Sequence, residues 1–200
     1  MQIKKKYIPN ILTSLRILLT PVFLYFLLSD FSHGKIIALV VFVVASITDA
    51  FDGFYARKYN FVSKFGIFLD PLADKLLVLS AFYGFIFIPI LGEEVKWWMI
   101  ILISFRDIVI TLIRMVMEYK GITMITSKFG KIKTVLQIST IIFILTYLIL
   151  FSYNIPYWQF FSDQSILYFC MILTTLVTFY TGLHYCYYNY KTLGQLLFQK

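Results

Sequence analysis

A bundle of six transmembrane α-helices, an all-α integral membrane protein with both termini cytoplasmic, is the fold this sequence predicts. Three observations predict it. The 200 residues are 60% hydrophobic and 20% aromatic, beyond the usual composition of a soluble domain. The apolar residues gather into six segments, each near the ~20 residues that cross a bilayer. Twelve of the eighteen lysines and arginines lie at one set of segment ends, and only Lys35 and Lys96 flank the other set. That asymmetry is the positive-inside pattern and puts the basic ends in the cytoplasm.

The segments follow in order. Residues 8–28 come after Lys4, Lys5 and Lys6, with Asn10 or Thr13 expected to cap the helix and Pro21 to kink it. This run is too long for a signal-peptide core and is followed by Leu28-Ser29-Asp30, not a small-x-small exit, so it reads as a span. The second segment is 35–57. The third, 67–89, opens at Gly66 and is closed by Pro89-Ile90-Leu91-Gly92. The fourth, 97–117, begins at Trp97 and Trp98; the fifth and sixth are 132–151 and 165–188. Trp97, Trp98, Tyr157 and Trp158 mark the outer interface, and Tyr185, Tyr187, Tyr188 and Tyr190 the inner one. The links are short apart from 119–131 and 152–164, so residues 1–200 read as a single membrane domain.

Several function classes drop out. The net charge of +8 is accounted for by the orientation signal, so nucleic acid is not an expected partner; anionic lipid head groups are. Cys170 and Cys186 lie on one expected helix, about 24 Å apart along its axis, too far to bridge. His33 and His184 make no zinc-ligand pair.

The chemistry concentrates in the aspartates. Five of the seven lie within or at the edges of apolar segments, and four fall in one stretch: Asp49-x-x-Asp52-Gly53-x-x-Ala56-Arg57, then Gly66-x-x-x-Asp70-x-x-x-Asp74. A single carboxylate at the bilayer centre costs about 2.5–3.5 kcal/mol even on lenient scales. Four like charges together need neutralisation, and divalent metal, here Mg2+ or Mn2+, is the simplest agent. Asp49 and Asp52 share a helix face with Gly53 and Ala56, whose small size admits a ligand or a neighbouring backbone. Arg57 beside them offers a fork suited to phosphate oxygens. Residues 58–65 form the expected turn, and Pro71 fits the first turn of the next helix. Asp70 and Asp74 are four apart and share that helix's face. Carboxylate pairs on two consecutive antiparallel helices suit two divalent ions and a pyrophosphate substrate, with one carboxylate left to act as general base. The bland alternative is pairing with Arg57, Lys58, Lys64 and Lys75.

The whole spacing, Asp-x2-Asp-Gly-x2-Ala-Arg-x8-Gly-x3-Asp-x3-Asp, resembles the signature of the CDP-alcohol phosphatidyltransferases without departure. The resemblance implies a six-helix membrane enzyme, generally a homodimer, that moves a phosphatidyl group from CDP-diacylglycerol to an alcohol and releases CMP. It implies Asp49, Asp52 and Asp70 as metal ligands and Asp74 as catalytic base that can also touch metal. It places Asp49, Asp52, Gly53, Ala56 and Arg57 on the CDP part, with Ser63 a weaker candidate. The opening Ile8-Pro9-Asn10-Ile11-Leu12-Thr13-Ser14-Leu15-Arg16 looks like that of the phosphatidylglycerophosphate synthase branch, as do Arg106-Asp107, Arg114 and Gly130-Lys131-Ile132-Lys133-Thr134. Cardiolipin synthases share parts of these motifs.

The cations agree with a phosphorylated acceptor. Arg106 and Arg114 are eight apart on roughly one face, and Lys131 and Lys133 lie toward the cytoplasmic end; together they are candidates for the phosphate of glycerol 3-phosphate. Pairing with Asp107 or Glu118, or plain positive-inside flanking, is the alternative for them. Phosphatidylglycerol, inositol phosphate or serine are alternative acceptors. A cation transporter is the non-enzyme alternative, but its path should carry polar groups at several depths, whereas these acids cluster near one face. The expected location is the cell (inner) membrane, multi-pass, with the site facing the cytoplasm.

Overall fold

The computed structural model describes the backbone of residues 8–59, 64–120, 128–154 and 164–190, with 192 and 194. It describes the side chains of 13–48, 72–73, 75–117, 119–120, 130–154, 166–190, 192 and 194. Among these residues the secondary structure is wholly helical. The helices are α1 (Ile8–Leu28), α2 (Gly34–Tyr59), α3 (Lys64–Ile86), α4 (Trp97–Tyr119), α5 (Lys128–Ser152) and α6 (Gln164–Tyr188), with a 3-10 turn at Pro89–Leu91. The shortest has 21 residues and the longest 26, so at 1.5 Å per residue each is about 31–39 Å long. Two described segments, Gly130–Ser152 and Ile166–Tyr188, are long and apolar enough to cross a membrane; Thr13–Leu28, Gly34–Thr48 and Lys75–Ile86 are shorter apolar stretches.

The outer surface is unlike a soluble protein's, and the largely apolar interior holds a polar seam. Large apolar side chains face outward on every helix, among them Leu18, Val40, Leu76, Phe105, Val135 and Phe169. Hydroxyls, an amide and charges are turned inward, including Thr20, Asp107, Lys133, Gln137, Thr174 and Thr178. Apolar surroundings accept the first set and would leave the second without hydrogen bonds, so the second must pair inside the bundle.

α1 packs on α2 and α3, α2 on α5, α3 on α4 and α5, and α6 on α4 and α5. Phe23, Phe42, Phe82 and Phe85 fill the core of the first three helices, with the Phe23 and Phe42 rings 5.6 Å apart. Gly84 lets α3 close on α1, since a Cβ there would lie 2.7 Å from Leu27 Cδ2. Lys35, at the start of α2, donates to the Leu27 carbonyl and, at 3.2 Å, to that of Ser29, so it satisfies the exposed carbonyls ending α1.

Three local expectations are corrected. α1 starts at Ile8, so Asn10 and Thr13 lie inside it and are not caps; Thr13 is buried in the bundle. α2 runs to Tyr59 and α3 starts at Lys64, so residues 58, 59, 64 and 65 of the expected 58–65 turn are helical and Pro71 lies inside α3, not in its first turn. The apolar run Phe65–Leu69 extends the helical pattern back beyond Gly66, and Pro71 forgoes one backbone hydrogen bond as an interior proline must. α5 starts at Lys128, four residues before the expected 132, which brings Lys131 and Lys133 into the helix proper.

Candidate active site

The carboxylate stretch falls on the end of α2 and the start of α3, two helices that are in contact. Asp49, Asp52, Gly53, Ala56 and Arg57 occupy the last three turns of α2; Asp70 and Asp74 occupy the first three turns of α3. The side chains of these seven residues lie outside the described residues, as does Ser63 altogether. The backbone nevertheless ranks them by depth. Asp52 is seven residues from the end of α2 and Asp70 six from the start of α3, about 10 and 9 Å along the axes at 1.5 Å per residue. Asp49 and Asp74 are each ten residues in, about 15 Å. Counted along their helix axes, Asp52 and Asp70 thus hold similar positions, as do Asp49 and Asp74. A donor set of four carboxylates and no nitrogen or sulfur suits hard ions such as Mg2+ or Mn2+ better than Zn2+ or copper. Among the described side chains no group of three or more His, Cys, Asp or Glu is placed to hold a metal.

A second polar centre lies between α4, α5 and α6. Asp107 is wholly buried on α4. Its Oδ2 accepts from Lys133 Nζ on α5 and from Gln137 Nε2 at 3.3 Å. Its Oδ1 accepts from Arg106 Nη1 at 3.2 Å. Arg106 Nη2 continues to Thr181 Oγ1 on α6 at 3.1 Å, and Gln137 Nε2 also reaches Thr178 Oγ1 at 3.4 Å. Farther along the same seam Thr140 and Thr174 share a 2.7 Å hydrogen bond. Gln137 lies one turn after Lys133, which is why both reach one carboxylate. Three donors satisfy most of that carboxylate's acceptor capacity, so the cost of burying it is offset.

The four cations singled out from sequence therefore occupy different surroundings. Arg106 keeps 12% of its side chain exposed and Lys133 only 2%. Arg114 and Lys131 are exposed. Arg106 and Arg114 do share a face of α4, since both meet α6: the Arg114 guanidinium lies 5.6 Å from the centroid of the Tyr185 ring, within cation–π range. Pairing with Asp107, the alternative raised for Arg106, is realised; the Glu118 side chain lies outside the described residues. Lys75, the residue after Asp74, is near enough to Lys133 for their charges to interact, which links the second centre to the aspartate end of α3.

Sequence reasoning noted Asp107 only as a partner for Arg106. It missed Asp107 as the hub, Gln137 as its support, Thr181 as a partner of Arg106, and Gly182, where a Cβ would lie 2.7 Å from Arg106 Cγ. The Lys133–Gln137 interval was the available signal, because it places two donors on one helix face.

The model of the CDP-alcohol phosphatidyltransferase family matches residues 6–180. The chain is 38% identical over 143 residues to the CDP-diacylglycerol–glycerol-3-phosphate 3-phosphatidyltransferase of Bacillus subtilis (strain 168), covering 66% of this chain and 72% of that protein. It is 40% identical over 131 residues to a probable phosphatidylglycerophosphate synthase of Mycobacterium tuberculosis (strain CDC 1551 / Oshkosh), covering 64% of this chain and 60% of that protein. It is 34% identical over 143 residues to the CDP-diacylglycerol–glycerol-3-phosphate 3-phosphatidyltransferase of Salmonella paratyphi A, covering 69% and 76%. With the family match running through five helices and most of the sixth, and with the aspartate spacing intact, this chain belongs to the CDP-alcohol phosphatidyltransferase family.

Proposed function

We propose that this chain transfers a phosphatidyl group from CDP-diacylglycerol to sn-glycerol 3-phosphate, giving phosphatidylglycerol phosphate and CMP. The observation that carries this reading is the coincidence of the complete aspartate spacing with relatives named for that donor and acceptor. As a setting for it we propose one domain of six spans in the cell membrane. The basic ends and both termini lie in the cytoplasm, where acceptor and CMP are soluble, and the chain acts as a homodimer.

Asp49, Asp52 and Asp70 are the residues proposed to hold two divalent ions, Mg2+ or Mn2+, with Asp74 able to contribute. When bound, such ions offset the charge of the diphosphate and of the departing CMP. Gly53 and Ala56 leave room on α2 for the CDP part, and Arg57 offers its fork to the phosphates. Ser63 is a weaker contact there. Asp74 accepts the proton from the primary hydroxyl of glycerol 3-phosphate. That oxygen forms a bond to the phosphorus carrying the diacylglycerol, and the bond from that phosphorus to CMP breaks. Arg106, Arg114, Lys131 and Lys133 supply the positive field that favours an acceptor already carrying phosphate. Positioning and fixed charge provide most of the acceleration.

The test is CMP release by the purified protein from labelled CDP-diacylglycerol, with an acceptor panel and with or without chelator. Glycerol 3-phosphate should be the preferred acceptor, and chelation should stop turnover until Mg2+ or Mn2+ is restored. Preference for phosphatidylglycerol, inositol phosphate or serine overturns the acceptor; chelator-resistant turnover overturns the metal. Divalent-ion flux in liposomes without CMP release overturns the enzyme reading.

A further inference from the structure

We infer that Asp107 is a positioning residue that aims Arg106 at the acceptor's phosphate, and that Lys133 acts only through Asp107 and does not touch the acceptor. The inference rests on the acceptor reading above and divides its four cations into different roles.

Burial makes the first division. Lys133 has 2% of its side chain exposed and directs its ammonium to a carboxylate that is itself wholly buried. A dianionic phosphate reaching that ammonium would have to displace Asp107 from it. Arg106 differs: 12% of its side chain is exposed. Nη1 and Nη2 each carry two N–H groups and the network uses one of each, so Arg106 retains donors beyond it. An arginine fork serves a phosphate well only when its plane is held, since its worth lies in paired, directional donors.

Three contacts hold that plane. Asp107 takes Nη1 at 3.2 Å and Thr181 takes Nη2 at 3.1 Å. Gly182 supplies the bed: a Cβ there would lie 2.7 Å from Arg106 Cγ, so any larger residue displaces the arginine. Asp107 is in turn fixed from α5 by Lys133 and Gln137. One anion against two cations leaves the cluster with a net positive charge, and the carboxylate keeps the two cations from repelling each other apart. The charge of Lys75 acts on Lys133 from α3, so the cluster lies within electrostatic reach of the helix that carries Asp74. Lys133 is thus the counter-ion that allows Asp107 to be buried, and Asp107 is the fixed point from which Arg106 is aimed.

A double-mutant cycle on the full-length protein in detergent tests this, reading KM for glycerol 3-phosphate and for CDP-diacylglycerol separately. Asp107→Asn should raise the acceptor KM by about tenfold or more, the loss of one charge-assisted contact, and leave the donor KM unchanged. Lys133→Met should raise the acceptor KM too, but add nothing on top of Asp107→Asn, because both act through one carboxylate. Effects that multiply place Lys133 on the acceptor and overturn its assigned role. An unchanged acceptor KM in Asp107→Asn, or donor and acceptor KM rising together, overturns the positioning role. Gly182→Ala reaches Arg106 without creating a buried unpaired charge and decides the matter if Asp107→Asn fails to fold: it should raise the acceptor KM alone, and a normal value overturns the inference. Thr140→Val, on the same α5–α6 seam but away from Arg106, should leave both KM values unchanged. If wild-type protein uses only unphosphorylated acceptors, the acceptor reading fails and this inference fails with it. Normal glycerol 3-phosphate turnover with unaltered KM in the variants removes the inference alone.

Discussion

The two acidic centres solve the same problem in opposite ways. At the end of α2 and the start of α3, four carboxylates fall within 26 residues, with Arg57 the one arginine among them. Between α4, α5 and α6, a single carboxylate is surrounded by an arginine, a lysine and an amide, all from the protein. Asp107 is neutralised internally and has little acceptor capacity left, so it is suited to holding neighbours in place. The α2–α3 acids outnumber the cations interleaved with them, so they are suited to taking cations from outside. The balance of acids against built-in donors, more than burial itself, separates a reactive acidic site from a structural one.

Four substitutions test that contrast, in descending order of expected effect. Asp74→Asn should lower the rate of CMP release by about 10²–10⁴-fold, the usual contribution of general base catalysis, while CDP-lipid binding persists. A near-normal rate removes Asp74 from the base role and leaves the α2–α3 acids as a binding site only. Asp107→Asn should act on stability as well as on the acceptor, because Lys133 would keep a buried charge without its carboxylate. The loss should be about 3–5 kcal/mol and largely recovered in the Asp107→Asn/Lys133→Met pair, as read from thermal midpoints in detergent. Equal losses in single and double variants would mean that Lys133 is stabilised by something other than Asp107.

Glu94 offers a third carboxylate for comparison, this one in the link between α3 and α4. It is 1% exposed, and neither carboxylate oxygen has a hydrogen-bond partner among the described residues. A buried acid without donors should weaken the fold, so Glu94→Leu should raise stability by about 1–3 kcal/mol; a loss would show that the carboxylate has a supporting partner. The smallest effect belongs to Thr140→Val, which removes the 2.7 Å bond to Thr174 and should cost about 0.5–1.5 kcal/mol. A larger loss would extend the Asp107 network farther along α5 than its hydrogen bonds indicate.

Much of the bundle was legible because bilayer-length apolar runs and terminal charge are one-dimensional signals. The expected 8–28 and 97–117 became Ile8–Leu28 and Trp97–Tyr119. Helix ends were less legible at Thr13 and Pro71, where residues that favour caps and first turns were absorbed into longer helices by the apolar pattern around them. The aspartate motif was legible in full, since its members are close in sequence and at helical spacing. Asp107, Gln137 and Thr181 were not, because their relation spans three helices.

The sequence by itself determined the family, the six apolar helices and the matched spacing of Asp49, Asp52, Asp70 and Asp74, since each depends only on residue type and interval along one or two adjacent helices. Only the tertiary structure decided that Lys133 is sequestered on Asp107 while Arg106, seated on Gly182 and held by Thr181, stays partly exposed. The physical reason is that a charge's role depends on which partners packing brings within hydrogen-bond distance. Here those partners lie 26 and 75 residues away along the chain.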